Sequence, residues 1–249
     1  SDHLITKEDE FRNVMNEAYR FASENDALLT LGIRPDRPET GYGYIQAYTQ
    51  QTVRGYESLH KVKAFTEKPQ LALARKFIES GDFYWNSGIF IWRASTVLES
   101  YVRHLPDIYH TFNEGKELFS TPAEKDFITN AYAQCSSISV DYGIMEKADN
   151  VYVICTDLGW SDLGTWSSLY MHSAHDKNDN AAVNSLAFTY NSEGNIISLP
   201  EGKVAVVQGL DDYIIIDSGD VLLIVQREQE QNIKLYLEDV SRETGDKYQ

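Results

Sequence analysis

The sequence is poor in cysteine and in long apolar runs. Its 249 residues include two cysteines, Cys135 and Cys155, which form no CxxC pair and belong to no His/Cys cluster at zinc spacing. We therefore expect two buried, reduced thiols, as is usual in a cytoplasmic protein. No signal peptide and no apolar run of about 18 residues is recognisable, so we expect neither export nor a membrane span.

Positive charge is also scarce. The 22 Lys and Arg residues stand against 38 Asp and Glu, which gives a formal net charge of −16. Such a chain repels polyanions, and this excludes sequence-independent binding to nucleic acid or to an acidic membrane. A phosphate-bearing substrate must therefore be met locally, by a metal ion or by a placed lysine.

The beginning of the chain lacks two further features. It opens on Ser1-Asp2-His3 without a methionine, and no glycine-rich loop between a strand and a helix precedes these residues. We interpret the chain as a truncated or proteolysed form of a longer protein. Taken alone, the pair Asp2-His3 reads as a solvated chain end.

Helices and strands alternate over the first two thirds of the sequence. Apolar residues at helical spacing predict an amphipathic helix over 7–25. Further helices are predicted over 70–80, 94–103 and 123–135. Extended segments lie between them, over 27–33, 42–45, 62–67 and 85–92. This alternation predicts an α/β fold in which a mixed sheet carries helices on both faces.

The pattern changes after about residue 178. Short apolar strands are separated by Gly, Asp and Asn turns, with no helical period between them. These strands cover 187–190, 196–199, 204–207, 213–216 and 221–225. We predict a small C-terminal all-β domain, either a β-prism or a short β-helix. The polar segment 175–179 places the boundary between domains 1–177 and 178–249.

Three polar positions stand where strands or turns end. Asp162 lies between two glycines and two tryptophans, in a turn that holds it at a cleft or makes it the cap of the next helix. Glu67-Lys68 closes a strand, where α/β sheets bind ligands, and its alternative is a surface ion pair. Asn86 offers a donor and an acceptor beside an aromatic wall, which suits sugar hydroxyls, and its alternative is a plain turn.

The segment 40–44 contains two glycines. The two glycines, Gly41 and Gly43, let the backbone approach a ligand closely, and the alternative is a bulged edge strand.

Five segments in order carry a resemblance to a known family. They are PETGYGYI (38–45), FTEKP (65–69), YWNSGIF (84–90), SVDYGIMEK (139–147) and GWSDLGTW (159–166). Together they resemble the mannose-1-phosphate guanylyltransferases (GDP-mannose pyrophosphorylases). The segments GLDDY (209–213) and QEQNIK (229–234) extend the resemblance nearly to the end of the chain.

The resemblance implies a Rossmann-like nucleotidyltransferase domain. In it, mannose 1-phosphate attacks the α-phosphorus of GTP in line and pyrophosphate leaves, giving GDP-mannose. Positioning and charge neutralisation carry such a reaction, and Mg²⁺ supplies both. By the family pattern, Asp2 and Asp162 are the catalytic pair that holds the metal, since one or two carboxylates with phosphates and water suffice for Mg²⁺.

The same pattern assigns the substrate-binding residues. Glu67 and Asn86 accept from and donate to sugar hydroxyls, and Gly43 lets the chain approach the hexose. Lys68 meets the phosphate as a counter-charge. Asp141 lies near the sugar as well.

One departure from the family matters. The family's N-terminal glycine-rich loop, with its Arg and following Pro-Lys, is missing, and the guanine-reading residues belong to that part. We therefore expect the polypeptide alone to be inactive or nearly so, while the intact protein is an enzyme. Because the chain ends soon after the β region, we expect no appended isomerase domain. The β region is also the expected surface of a homodimer.

Two alternative functions remain open at this point. The first is a relative that uses another hexose 1-phosphate or another nucleotide. The second is a non-catalytic sugar-phosphate sensor or regulatory subunit. The presence of both Asp2 and Asp162 counts against a pure binder, which has no need of two metal-placing carboxylates.

Overall fold

The computed structural model describes residues 3–245 and 248. Contacts along the chain divide it into two compact units, Ile5–Trp160 and a second unit that begins at Ser161 and also includes His3 and Leu4. None of the helices in this described part has both the length and the apolar character that crossing a bilayer requires.

The first unit combines helices and strands. After β1 (His3–Ile5), most of which belongs to the second unit, the elements along the chain are α1 (Glu8–Glu24), β2 (Leu28–Ile33), β3 (Tyr44–Val53), β4 (Tyr56–Thr66), α2 (Leu71–Ser80), β5 (Phe83–Ile91), α3 (Ala94–His104), α4 (Pro106–Glu114), α5 (Glu124–Gln134) and β6 (Val151–Thr156). Of these, α4 and β6 were not predicted. A π-helical turn, Asp141–Met145, precedes β6. β1 forms a separate two-stranded sheet with β7 (Trp160–Asp162).

Five of these strands close into a barrel in the order β2-β5-β3-β4-β6. β2 and β6 run parallel, and the other neighbours are antiparallel. The predicted mixed sheet is confirmed. Its closure, through Leu59 opposite Ile154, is a long-range pairing that local sequence patterns do not reveal.

Helices pack on both faces of the sheet, as predicted. α1 buries Val14, Ala18 and Phe21 in one apolar cluster with Leu29 of β2. The neighbouring Leu28 belongs to a second cluster, with the π-helical turn and α3. Successive strand residues point to opposite faces, so Leu28 and Leu29 join different clusters. Both faces of β2 are covered, and the strand is therefore buried along its whole length and apolar except for Thr30.

The second unit is rich in strands. Its elements are β7, α6 (Trp166–His172), β8 (Ala181–Val183), β9 (Leu186–Tyr190), β10 (Ile196–Ser198), β11 (Val204–Gln208), β12 (Tyr213–Asp217), β13 (Leu222–Gln226) and α7 (Ile233–Thr244). β8, β10 and β12 pair in parallel, and so do β9 and β11. Within the fully described stretch 181–217, no helix lies between these parallel strands, so the chain coils in successive turns as in a short β-helix. Of the two predicted architectures, this pairing favours the β-helix.

The boundary predicted from composition, between 177 and 178, differs from the division by contacts, which falls at Ser161. The compact unit begins at Ser161 because α6 packs its apolar side, including Trp166 and Leu169, on the β-helix core around Ile196. The predicted boundary between 177 and 178 marks where the strand-rich composition begins, and as a domain boundary it stays a prediction. The helix α7 was not predicted.

Candidate functional site

The site is built around a bulge in β5. Thr30 of β2 pairs with Phe90, whereas Gly32 pairs with Asn86, so β5 has extra residues between these two pairs. Gly88 lies in the bulge with a positive φ of 71°, which glycine adopts without strain. Bulges re-aim side chains, and this one directs Asn86 back towards Thr30.

The Asn86 side chain is held on both sides of its amide. Its Oδ1 accepts from Thr30 Oγ1 at 2.9 Å and from the Gly88 backbone N–H at 3.3 Å. Its Nδ2 donates to Asp141 Oδ1 at 3.0 Å. The alternative of a plain turn is therefore wrong, since Asn86 connects a buried strand to an acidic side chain.

Gly43 packs between two of the predicted sugar-binding residues. Its backbone C=O accepts from the Asn86 backbone N–H at 2.8 Å. A Cβ built on Gly43 would lie 2.4 Å from Glu67 Oε2 and 3.3 Å from Asn86 Cβ. Glycine is required here because any side chain would displace the Glu67 carboxylate.

The Glu67 carboxylate is largely shielded from solvent. Its side chain is 16% exposed, compared with 58% for Lys68, and Lys68 Nζ lies 3.9 Å from Glu67 Oε1. Burial, together with the nearby Asp141 carboxylate, raises the pKa of Glu67, and the Lys68 ammonium only partly opposes this. A surface ion pair does not describe such a carboxylate.

Asp141 begins the π-helical turn. Its backbone C=O accepts from the Glu146 N–H at 3.0 Å, and Gly143 in the turn packs closely on Leu105. Turns of this kind occur often at functional sites. Burial raises the pKa of Asp141, although hydrogen bonds from Asn86 and Ser139 oppose the rise.

A preorganised loop borders this cluster. Glu39 Oε1 accepts from the backbone N–H groups of Thr40 at 3.0 Å and Gly41 at 3.1 Å. Tyr44 Oη donates to the Glu39 C=O at 2.9 Å. The rings of Tyr42 and Trp85 meet edge to face 5.3 Å apart and form the predicted aromatic wall.

The structure therefore brings together Gly43, Glu67, Lys68, Asn86 and Asp141 within one unit. Two carboxylates accept hydrogen bonds and an amide donates, which suits a polyhydroxylated ligand. Sequence patterns missed Thr30, which holds the Asn86 amide, and they gave no role to Glu39, which orders its own loop. One signal was present: Thr30 is a polar residue inside a strand that is otherwise apolar.

Asp162 belongs to the other unit, and Asp2 lies outside the described residues. Asp162 is half-buried, and its Oδ1 accepts from the Gly164 N–H at 2.8 Å. The cap of α6 is Thr165, whose Oγ1 accepts from the Ser168 N–H at 3.1 Å. Asp162 is thus not the helix cap.

Asp162 offers one carboxylate to a magnesium ion of the expected kind. Among residues 3–245 and 248, no three His, Cys, Asp or Glu side chains group closely enough to hold a metal on their own. Mg²⁺ takes one or two carboxylates and completes its shell with phosphates and water. A half-buried aspartate at the end of a short strand provides such an oxygen.

A cavity of about 1000 Å³ lies elsewhere in the first unit. It is lined mainly by apolar residues, among them Leu98 of α3, Phe112 of α4 and Tyr132 of α5. It lacks the convergent polar groups of the Asn86 cluster, and we assign it no chemistry.

Comparison with known proteins gives consistent matches. Residues 1–179 match the family described as "Nucleotidyl transferase". The sequence is 35% identical over 243 residues to a mannose-1-phosphate guanylyltransferase of Escherichia coli K12, covering 96% of this chain and 50% of that protein. It is 33% identical over 241 residues to the alginate biosynthesis protein AlgA of Pseudomonas aeruginosa, covering 96% and 49%.

A solved structure agrees in fold. It is described as a mannose-1-phosphate geranyltransferase from Thermus thermophilus and matches with a TM-score of 0.76 at 27% identity, over 96% of this chain and 68% of that one. The chain spans about half the length of the curated relatives it matches. The resemblance read from the five motifs is confirmed.

Proposed function

We propose, from the premise that the chain belongs to the nucleotidyl transferase family, that its protein transfers GMP from GTP to mannose 1-phosphate and releases pyrophosphate. One observation carries the proposal: Gly43, Glu67, Asn86 and Asp141 meet in one cluster, beside the cationic Lys68. The names of the relatives support the choice of substrates.

The chain's own residues bind and orient the sugar phosphate in this proposal. Glu67 and Asp141 accept hydrogen bonds from hexose hydroxyls, and the close packing at Gly43 sets how near the backbone comes to the ring. Lys68 is more than half exposed, so its ammonium is within reach of a phosphate dianion. The site holds the nucleophilic oxygen of the sugar phosphate in line with the α-phosphorus of GTP. The reaction of two bound substrates then replaces a bimolecular encounter, and this is the main contribution of such a site to the rate.

Asp2 and Asp162 are proposed as the metal-holding pair. When bound, Mg²⁺ neutralises the charge that develops on the phosphates. Two observations support the proposal for Asp162: its carboxylate oxygens can coordinate a metal ion, and the cap of α6 is Thr165 rather than Asp162.

The test uses the full-length protein that carries this chain. Pyrophosphate release is measured with GTP and a panel of hexose 1-phosphates, and mannose 1-phosphate is expected to give the highest kcat/KM. A different preferred sugar or nucleotide would reassign the substrate. Asp162→Asn is expected to abolish turnover while leaving sugar-phosphate binding intact, and the exposed Asp220→Asn is the matched control. Full turnover by Asp162→Asn would show that Asp162 does not hold the metal, whereas sugar-phosphate binding without any turnover by the wild-type protein would favour a sensor.

A homodimer is proposed through the outer face of β9 and β11. Alternate residues on these strands are large, apolar and exposed, and they stand beside each other in register: Leu186, Phe188, Tyr190, Val204 and Val206. A flat face formed by these five side chains, none of them charged, fits a second copy of itself about a two-fold axis. Sedimentation of Val206→Glu is expected to give a monomer, whereas Val102→Glu, at an exposed valine of α3 in the other unit, keeps the dimer.

A cytoplasmic location is also proposed. Cys135 and Cys155 are not paired with each other, and burial raises the pKa of the Cys155 thiol to about 12. Unpaired thiols are typical of a reducing compartment. Cell fractionation checks this assignment, and recovery of the protein outside the cytoplasm would contradict it.

A further inference from the structure

We infer that Thr30 is a positioning residue: it fixes the orientation of the Asn86 amide and thereby decides which hydrogen bond this position offers to a sugar hydroxyl. The inference rests on the proposed function, since it concerns the same sugar site. It adds a residue that no sequence motif includes.

The orientation of the amide follows from partners whose roles are fixed. The Gly88 backbone N–H can only donate, so the atom facing it at 3.3 Å is the Asn86 oxygen. The other end of the amide is therefore the nitrogen, which faces Asp141 Oδ1 at 3.0 Å, an oxygen that can accept its hydrogen bond. The Gly88 N–H thus sets the orientation, and the Thr30 hydroxyl, 2.9 Å from the Asn86 oxygen, must donate.

This orientation limits what a ligand meets at Asn86. Both lone pairs of Oδ1 are engaged by Thr30 and Gly88, whereas Nδ2 has two protons and gives one to Asp141. The remaining N–H is what the amide presents. A hydroxyl that accepts a hydrogen bond from Asn86 can donate its own proton to Glu67 or Asp141. The site is therefore suited to recognise a hydroxyl group, which both accepts and donates. The dual role that the family pattern gives Asn86 is thereby narrowed to that of a donor.

Thr30 is well placed to enforce this arrangement. It is fully buried, with 0% exposure, in the central strand β2. Its contact with Oδ1 is shorter than that of Gly88, and a hydroxyl on a β-branched residue in a strand has little rotational freedom. A valine at this position keeps the shape and removes the donor, which leaves Oδ1 with the longer contact alone.

The experiment measures steady-state kinetics of the full-length protein. Thr30→Val is expected to raise the KM for mannose 1-phosphate roughly tenfold, the usual effect of losing one buried hydrogen bond, while kcat and the KM for GTP stay within about twofold. Thr30→Ser restores the hydroxyl and is expected to restore the KM. Thr96→Val is the matched control, because Thr96 is also a buried threonine but lies on α3.

A double-mutant cycle separates positioning from a merely structural role. In an Asn86→Ala background, Thr30→Val is expected to have no further effect on the KM for mannose 1-phosphate. An equal effect in both backgrounds, or a failure of serine to rescue, would overturn the inference. A second variant covers the case that Thr30→Val does not fold. Asn86→Asp keeps the shape and lacks the N–H, so it must weaken mannose 1-phosphate, and wild-type affinity would overturn the inference.

Failure of this inference differs from failure of the proposed function. If Thr30→Val behaves as wild type while Glu67→Gln and Asn86→Ala weaken mannose 1-phosphate, the inference about Thr30 is wrong and the sugar site stands. If neither of those two variants affects mannose 1-phosphate, the proposed function itself fails.

Discussion

The two units treat their buried polar side chains differently. In the β-helix, Asn195 donates to Asn180 Oδ1 at 2.8 Å and to the Leu210 C=O at 2.7 Å, and it accepts from the Tyr213 N–H at 2.9 Å. In the barrel unit, burial leaves Glu67 and Asp141 with raised pKa values. A polar group whose bonds are complete serves stability, whereas one left partly uncompensated is suited to a ligand.

The largest effect is expected when the complete network is broken. Asn195→Ala leaves the Leu210 C=O and the Tyr213 N–H without their bond to a fully buried side chain, while Asn180 Oδ1 keeps the bond from the backbone N–H of residue 195. Because each unsatisfied buried group costs about 1–3 kcal/mol, we expect the free energy of unfolding to fall by roughly 2 kcal/mol or more. Urea titration measures it, with the exposed Gln208→Ala as control. A loss no greater than that of the control would contradict the comparison.

Breaking the incomplete cluster should affect activity and stability in opposite directions. Glu67→Gln is expected to lower kcat/KM for mannose 1-phosphate by about ten- to a hundredfold in the full-length protein, because a charged acceptor is lost. A carboxyl with a raised folded pKa favours folding most below its unfolded pKa, and that contribution is lost as the pH rises through the folded pKa. At pH 7 the variant should therefore melt at a higher Tm than the wild type, and at pH 4 the gain should shrink. A lower Tm at pH 7 would be inconsistent with this account.

A carboxylate of the second unit provides the contrasting case with a smaller effect. Burial alone would raise the pKa of Asp176, but hydrogen bonds from the backbone N–H groups of Asn180 and Asn178 outweigh it, so the pKa is lowered. Such a group stabilises the fold above its unfolded pKa, and the contribution is lost as the pH falls through the folded pKa. Asp176→Asn should thus lower the Tm at pH 7, opposite in sign to Glu67→Gln. Melting curves at pH 7 and below pH 4 decide whether the two signs differ.

Local patterns predicted the elements with strong periodicity. The helix predicted over 7–25 is α1 (Glu8–Glu24), and the strand predicted over 27–33 is β2 (Leu28–Ile33). The hairpin of β3 and β4 was predicted only at its two ends. Over 48–58, around the turn at Gly55, its sequence is mostly polar and lacks the regular apolar alternation that marks a strand. Barrel closure depends on a pairing between distant segments, so no local window contains it.

The candidate site shows the same limit. Glu67 and Asn86 were found because they stand in recognisable motifs, Glu67 directly after β4 and Asn86 within β5, and the structure brings them together around Gly43. Thr30 was missed because one threonine in an apolar strand is unremarkable until the bulge in β5 directs Asn86 towards it. The pairing of Asp2 with Asp162 stays a prediction, since Asp2 lies outside the described residues.

The parallel pairing of β2 with β6 has a consequence for biosynthesis. Everything from β3 to α5 lies between these two strands in the sequence, so β2 leaves the ribosome long before its partner exists. Until β6 is made, a strand that is apolar except for Thr30 remains with unpaired backbone groups along one edge. Non-local pairings of this kind form slowly, and until they form the chain exposes apolar surface and an unpaired strand edge that favour aggregation. We expect the nascent chain to depend on chaperones, and the yield of folded protein to fall when translation is fast or the temperature is high.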